Sequence, residues 1–262
     1  MNRLAPLKKA IEEVLDEVDG VVALRNTSGH VAPHLFQGRE ELDELAVAPK
    51  YPLPATVHLI QKAHPEARLA VVCRGCEERG LIELAKRNQV NLDNLVIIGL
   101  ACTQEEAEEC RCGKPYPSVL VQSHVGDRVD PVADQLVEEL RQKGVAERME
   151  FWRKHFDRCI KCYACRNACP QCFCPECALE EALWVEAGKV PPTYPTFHLI
   201  RAMHTAGKCV GCRECELSCP AGIPLTTLYA LIREDVKEMF GYEPGADLEQ
   251  QPPLVLPMEV EG

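Results

Sequence analysis

The sequence predicts a two-part chain. An α/β domain with a mostly parallel sheet comes first, and an α+β domain with extra helices follows. Three observations carry this. Short apolar runs alternate with helical patterns through residues 1–148, the rhythm of strands joined by crossover helices. The composition shifts near Lys143-Gly144. The run C-x₂-C-x₂-C-x₃-C-P then occurs twice between Cys159 and Pro220. The expected organisation is an α/β domain over 1–148, a cysteine-rich domain over 149–242, and an acidic, proline-containing tail over 243–262.

Leu7, Ile11, Val14, Leu15 and Val18 share one helical face, and Gly20 supplies a stop. Val21–Leu24 is a short strand, Asn26-Thr-Ser-Gly29 a turn, and His30–Phe36 a second strand weakened by Pro33. Arg39–Leu45 reads as a short acidic helix, and Pro54–His64 as another with proline in its first turn. Leu69–Val72 and Leu95–Ile98 are continuous apolar runs, as strands buried on both faces require. Helices are expected over Glu77–Asn88, from Thr103 to Glu109 and over Pro131–Lys143, with a strand at Val119–Val121. Met149–Phe156 is a basic and aromatic lead-in to the first cysteine run. Between the two runs, a helix is expected near Ala178–Glu186, a proline turn at 190–195, and a helix near Phe197–Met203. Leu225–Met239 closes the domain as an amphipathic helix ending before Gly241.

Sixteen cysteines far exceed ordinary usage. The opening Met1-Asn-Arg-Leu-Ala-Pro has no signal-peptide pattern, and no apolar run reaches membrane-spanning length. The expectation is a cytoplasmic protein without a membrane span, whose cysteines are metal or redox groups and not a secreted disulfide framework. A net charge of −11 and an aromatic content of 5% argue against nucleic acid as a partner.

The repeated run is the ligand pattern of 4Fe–4S clusters, in which three close thiolates wrap one cluster and the fourth ligates the other. It assigns Cys159, Cys162, Cys165 and Cys219 to one cluster, and Cys209, Cys212, Cys215 and Cys169 to a second. Zinc sites more often use two separated C-x₂-C pairs. Cys73, Cys76, Cys102, Cys110 and Cys112 end strands or follow them. In an open α/β sheet such positions converge on one crevice. The preferred set is Cys76, Cys102, Cys110 and Cys112, with Cys73 as a substitute, for a third 4Fe–4S cluster or a zinc. The competing reading is buried thiols packing as small apolar groups. Cys172, Cys174 and Cys177 either ligate a further centre or pack beside cluster two. The eight histidines form no metal-spaced pair. Arg153, Lys154, His155, Arg158 and Lys161 form a basic collar that offsets cluster charge or docks an acidic partner.

Residues 159–220 resemble bacterial dicluster ferredoxins. The first 125 residues resemble the beta subunits of deazaflavin-coenzyme-reducing hydrogenases and formate dehydrogenases. That resemblance rests on Gly38-Arg-Glu-Glu-Leu-Asp-Glu-Leu, Pro49-Lys50-Tyr51, Leu69-Ala-Val-Val-Cys73-Arg-Gly-Cys76-Glu and Asn94-Leu-Val-Ile-Ile-Gly-Leu-Ala-Cys102-Thr. Cys76 matches the cysteine of the family's Pro-Cys-Gln turn and Cys102 that of its Leu-Val-Cys-His turn. The chain departs from the family at Gly75, Glu77 and Thr103, and in placing the ferredoxin module last. It has no G-x-G-x-x-G phosphate cradle. The resemblance implies an iron–sulfur subunit, with FAD, working with a flavoprotein, hydrogenase, formate dehydrogenase or heterodisulfide-reductase-like partner.

The expected function is electron transfer through 4Fe–4S clusters within a multi-subunit cytoplasmic oxidoreductase. The alternative is a flavin-dependent oxidoreductase that reduces a deazaflavin or similar hydride carrier. A third reading is a non-redox binding module with structural zinc.

Overall fold

A computed structural model describes residues 3–121 and 123–253. Among the described residues the chain divides into two compact units, 3–133 with 245–248, and 134–244 with 249–253.

In the first unit, helix α1 (Leu4–Val14) and a following 3₁₀ turn (Leu15–Glu17) bury Leu7, Ile11 and Leu15. Strand β1 (Gly20–Thr27) leads into β2 (His30–Phe36). They pair antiparallel, with Val21 opposite Phe36 and Thr27 opposite His30. Pro33 is tolerated because β2 is an edge strand. The acidic stretch Arg39–Glu44 is a 3₁₀ helix and hands over to the two-residue β3 (Leu45–Ala46). Then come α2 (Leu53–Ala63), β4 (Leu69–Cys73), α3 (Gly75–Ala85), β5 (Leu95–Leu100), α4 (Gln104–Cys110) and β6 (His124–Val125).

The sheet order is β2-β1-β4-β5-β6, with β3 also on β1. β1, β4, β5 and β6 run parallel, placing Val22 beside Val71 and Val71 beside Ile97. β4 is buried at every residue, as its unbroken apolar run requires. Leu7, Ile11, Val21, Phe36, Ala70, Val72 and Leu100 share one core.

Val119–Val121 is not a strand. The backbone N–H groups of Ser118, Val119, Leu120 and Val121 all donate to the carboxylate of Glu78, at 2.7–3.2 Å. Their donors are spent on a buried side chain, and the sheet's last ladder forms at His124–Val125 instead. Gly245–Leu248 of the expected tail belongs to this unit, and Gly245 N–H donates to the buried Glu83 carboxylate at 2.7 Å. The expected tail beyond residue 253 lies outside the described residues.

The second unit begins at Asp134, earlier than the boundary near 148 expected from composition. The reason is helix α5 (Gln135–Gln142), whose Leu140 is fully buried in a cluster with Trp152 and Phe156 of α6 (Val145–Phe156). Helices α7 (Ala164–Asn167), α8 (Thr196–Thr205), α9 (Glu214–Leu217) and α10 (Leu225–Phe240) follow. Gly241, at φ +62°, ends α10 in the left-handed conformation a helix stop favours.

Ala178–Glu186 forms isolated turns where a helix was expected. Glu180 N–H donates to Cys177 O, and Val185 N–H to Glu181 O. Leu179 and Val185 are both buried against Phe197, six positions apart, a spacing that one helical face does not offer. Among the described residues the second unit contains helices and loops, and no strand where an α+β arrangement was expected.

Candidate metal centres

The two cysteine runs adopt the same local shape. Lys161 and Tyr163 in the first, and Gly211 and Arg213 in the second, have positive φ between 53° and 69°. A four-residue helix follows each: α7 in one, α9 in the other. Cys169 N–H donates to Arg166 O, and Cys219 N–H to Glu216 O. Three of the four left-handed residues are not glycine, a conformation L-residues hold only when their surroundings fix it. One effect is visible directly. The turn aims the Lys161 N–H at Cys159 Sγ, 3.4 Å away.

Cys159, Cys162, Cys165 and Cys219 line one small cavity with Phe197, Ile223 and Leu225. Cys219, the last cysteine of the second run, is thus beside the first three of the other. Burial raises the Cys159 and Cys165 thiols above the ordinary range, the Lys161 amide and Arg201 respectively opposing the rise. In the second set, Cys215 has Cys212 and Cys209 as neighbours, and Cys169 from the first run has Cys212. Burial pushes Cys215 well above its usual value. Arg233 donates to Cys209 Sγ at 3.4 Å. Among the described residues no three His, Cys, Asp or Glu side chains are drawn in to hold a single metal ion.

Cys172, Cys174 and Cys177 line a cavity of about 520 Å³ with Arg166, Arg201 and Lys208. Cys172 is hydrogen-bonded to Cys169, and this bond lowers its thiol; burial opposes the shift and Arg201 reinforces it. The basic collar is tied to local partners. Arg158 meets His155 Nδ1 at 2.5 Å, Lys161 Nζ donates to Glu186 O at 2.7 Å, and Arg153 lies 4.4 Å over the Tyr194 ring.

In the first unit the candidate thiols gather at the carboxyl ends of β4 and β5. Cys73 is the last residue of β4 and fully buried; Cys76 sits in the first turn of α3. Cys110 and Cys112 lie within electrostatic reach of Cys102, and Cys110 closes α4. Burial pushes Cys102 up to about 12, against the pull of Arg74. The loop after α4 crosses the start of α3 so closely that a Cβ on Gly75 would collide with the Tyr116 and Lys114 carbonyls. That explains glycine at this turn. Lys50 Nζ stands 3.5 Å from Cys110 Sγ. Cys73 carries burial and the nearby Glu77 and Glu78, which raise its thiol well above normal. This is the environment of a packed core thiol.

Sequence reasoning passed over a charged knot beside these thiols. Arg74 is 2% exposed. It bonds the Val47 carbonyl, and Glu106 Oε1 at 3.1 Å. Arg3 reaches the same Glu106 at 2.7 and 3.0 Å. Burial disfavours the charged Glu106, but the Arg3 hydrogen bond and the Arg74 charge outweigh it and hold the carboxyl at about 2. Arg74 was in view between Cys73 and Gly75. A charged residue directly after a fully apolar strand was the available signal.

No family model matches the chain. Over 133 residues, 50% of the chain, it is 38% identical to the F420-dependent formate dehydrogenase subunit beta of Methanocaldococcus jannaschii, covering 35% of that protein. Over 120 residues, 45% of the chain, it is 41% identical to the F420-dependent formate dehydrogenase 1 subunit beta of Methanococcus maripaludis, covering 31% of it. The chain spans about a third of the length of these curated relatives. Both relatives are beta subunits, in agreement with the resemblance read from the N-terminal motifs. No helix among the described residues is long and apolar enough to cross a membrane.

Proposed function

We propose that this chain is an iron–sulfur electron-transfer subunit of a multi-subunit, cytoplasmic oxidoreductase of the formate dehydrogenase, hydrogenase or heterodisulfide-reductase kind. Cys159, Cys162, Cys165 and Cys219 would hold one 4Fe–4S cluster, and Cys209, Cys212, Cys215 and Cys169 the other. The observation that carries this reading is the exchange of the fourth cysteine between two loops of identical turn geometry. That exchange is the signature of paired clusters. The clusters would supply one-electron chemistry when bound. The chain's own residues fix the sulfurs, exclude water with Phe197, Ile223 and Leu225, and donate hydrogen bonds to sulfur from the Lys161 amide and Arg233.

The first-unit set Cys76, Cys102, Cys110 and Cys112 would hold a third centre, a 4Fe–4S cluster or a zinc. Its support is that Cys110 and Cys112 lie within electrostatic reach of Cys102, with Lys50 on Cys110 and Arg74 acting on Cys102; a metal would have to draw the thiols closer than they stand. The domain reading that goes with this is a beta-subunit-like α/β region followed by a dicluster ferredoxin-like region with helical insertions.

Anaerobic purification followed by iron, sulfide and zinc analysis tests these assignments. About eight irons per chain is the outcome expected for the ferredoxin pair, and about twelve adds a third 4Fe–4S cluster. About eight irons with one zinc assigns the first-unit set to zinc. Abundant zinc without acid-labile sulfide overturns the reading.

One observation favours a second reading, a flavin-dependent oxidoreductase acting on a deazaflavin-type hydride carrier, with FAD bound. The relatives are F420-dependent by name. Acid-released flavin at background level from the assembled complex's beta chain removes it.

A further inference from the structure

Helix α8 buries Phe197, His198, Arg201, Ala202 and Thr205 along one side. Four of these suit a buried helix face. Arg201 does not, and it is only 3% exposed. A guanidinium taken out of water requires fixed acceptors and compensating negative charge. Arg201 Nη2 donates to the Cys165 carbonyl at 2.7 Å and Nη1 to Cys172 Sγ at 3.0 Å. Its Nε has no hydrogen-bond partner. The guanidinium carbon is 5.6 Å from the centre of the buried Tyr229 ring.

The groups that face this cation are sulfurs and a neutral phenol. They are Cys165 of the first thiol set, Cys169 and Cys215 of the second, Cys172, and Tyr229. Arg201 therefore contacts or neighbours both four-cysteine sets from one buried position. Cys172, whose lowered thiol Arg201 contacts, supplies part of the counter-charge, and sulfurs with thiolate character, as metal ligands have, would supply more.

We propose that Arg201 is a positioning residue that raises the reduction potential of both cluster sites by holding one fixed cation close to them. The inference rests on the reading that these two sets hold 4Fe–4S clusters. A bound cluster would become more negative by one charge on accepting one electron from an external reductant. A cation fixed nearby stabilises that reduced state over the oxidised one. No bond forms or breaks at Arg201, and it passes no proton. It cannot lose its own proton.

The test uses the full chain, purified anaerobically, with dithionite titration followed by electron paramagnetic resonance. In Arg201→Met and Arg201→Gln, the reduced-to-oxidised ratio of both clusters at a fixed potential is expected to fall about tenfold or more. For one electron that is a shift of about 59 mV or more. Arg201→Lys, which keeps the charge, is expected to stay within about threefold of the wild type. Neutral variants that keep about eight irons with both potentials unchanged, or with only one moved, overturn the proposal. If the neutral variants lose iron while Arg201→Lys keeps both its iron and near-native potentials, the charge itself is required, and the proposal stands. Loss of iron from all three variants makes the residue merely structural and overturns it. A wild-type chain without iron and sulfide is a separate result, and it defeats the proposed function instead.

Discussion

The first unit carries its thiols on a sheet, and the second carries them on loops. Cys73, Cys76 and Cys102 are placed by the ends of β4 and β5, and these strands are fixed by a core of Leu7, Ile11, Val21, Phe36 and Leu100 that needs no thiol. In the second unit, Cys159, Cys165, Cys209 and Cys219 lie at the edge of the Trp152–Phe156–Ile223–Tyr229 cluster, on turns with positive φ and helices of four residues. Helices that short do not sustain themselves. In one unit the fold makes the thiol site. In the other, on the proposed reading, bound clusters would help to make the fold, as in small metal-dependent domains.

The largest effect expected from this contrast is on metal removal. Stripping iron from the full chain by oxidation and chelation is expected to abolish amide-exchange protection over 159–169 and 209–219. The β4 and β5 amides should keep theirs. Equal loss in both units would break the distinction, and full retention of the two loops would show that their left-handed turns stand without ligands.

A second effect separates the units in the opposite sense. The Glu78 carboxylate, on a residue 1% exposed, takes four backbone N–H groups from 118–121. Glu78→Ala leaves buried donors unpaired, and a loss of about 3 kcal/mol in first-unit stability is expected. Urea unfolding followed by exchange at β4 measures it. Cluster content in the second unit should be unchanged.

How much of this was legible follows the same division. Leu69–Val72 and Leu95–Ile98 announced parallel strands because a strand buried on both faces has no polar positions to hide. Val119–Val121 looked alike, but no local pattern reveals that a carboxylate forty residues away consumes its amides. The Ala178–Glu186 helix failed for a related reason, since Phe197 on another element draws in both Leu179 and Val185. Among site residues, the cysteine runs stood out from spacing alone, the spacing that a 4Fe–4S cluster would impose. Arg201 and Arg74 were not. A buried arginine is recognisable only once its acceptors are in place, and theirs come from distant segments.

The next effect is smaller and depends on pH. Glu106 is held at about 2 in the fold, below the ordinary glutamate value of about 4.3. A depressed carboxyl stabilises the fold fully above its unfolded value, and the contribution fades as pH falls through the folded one. Relative to Glu106→Gln, the wild-type first unit is expected to gain roughly 1–2 kcal/mol at pH 6, the partial exposure of the carboxylate reducing the full value. The gap should close between about pH 4.3 and 2. Urea midpoints of both proteins across that range decide it, and a gap that stays constant would remove Glu106 from the charged knot.

Thr103 should give the smallest effect, and it sharpens the contrast most cleanly. It caps α4 by accepting the Glu106 N–H at 3.2 Å, while its own N–H donates to the Glu106 carboxylate at 2.8 Å. Thr103→Ala removes the first bond and leaves the second, so only part of the capping box is lost. The expected cost is about 1 kcal/mol, recovered largely by Thr103→Ser. Yet α4 is the element that delivers Cys110 to Cys102 and Cys112. If a stable sheet makes the first-unit site, a weakened cap lowers the urea midpoint while metal content per chain stays constant. If metal content falls in step with the midpoint, the ligands help to hold α4. The first unit would then depend on its thiols as the second is expected to do.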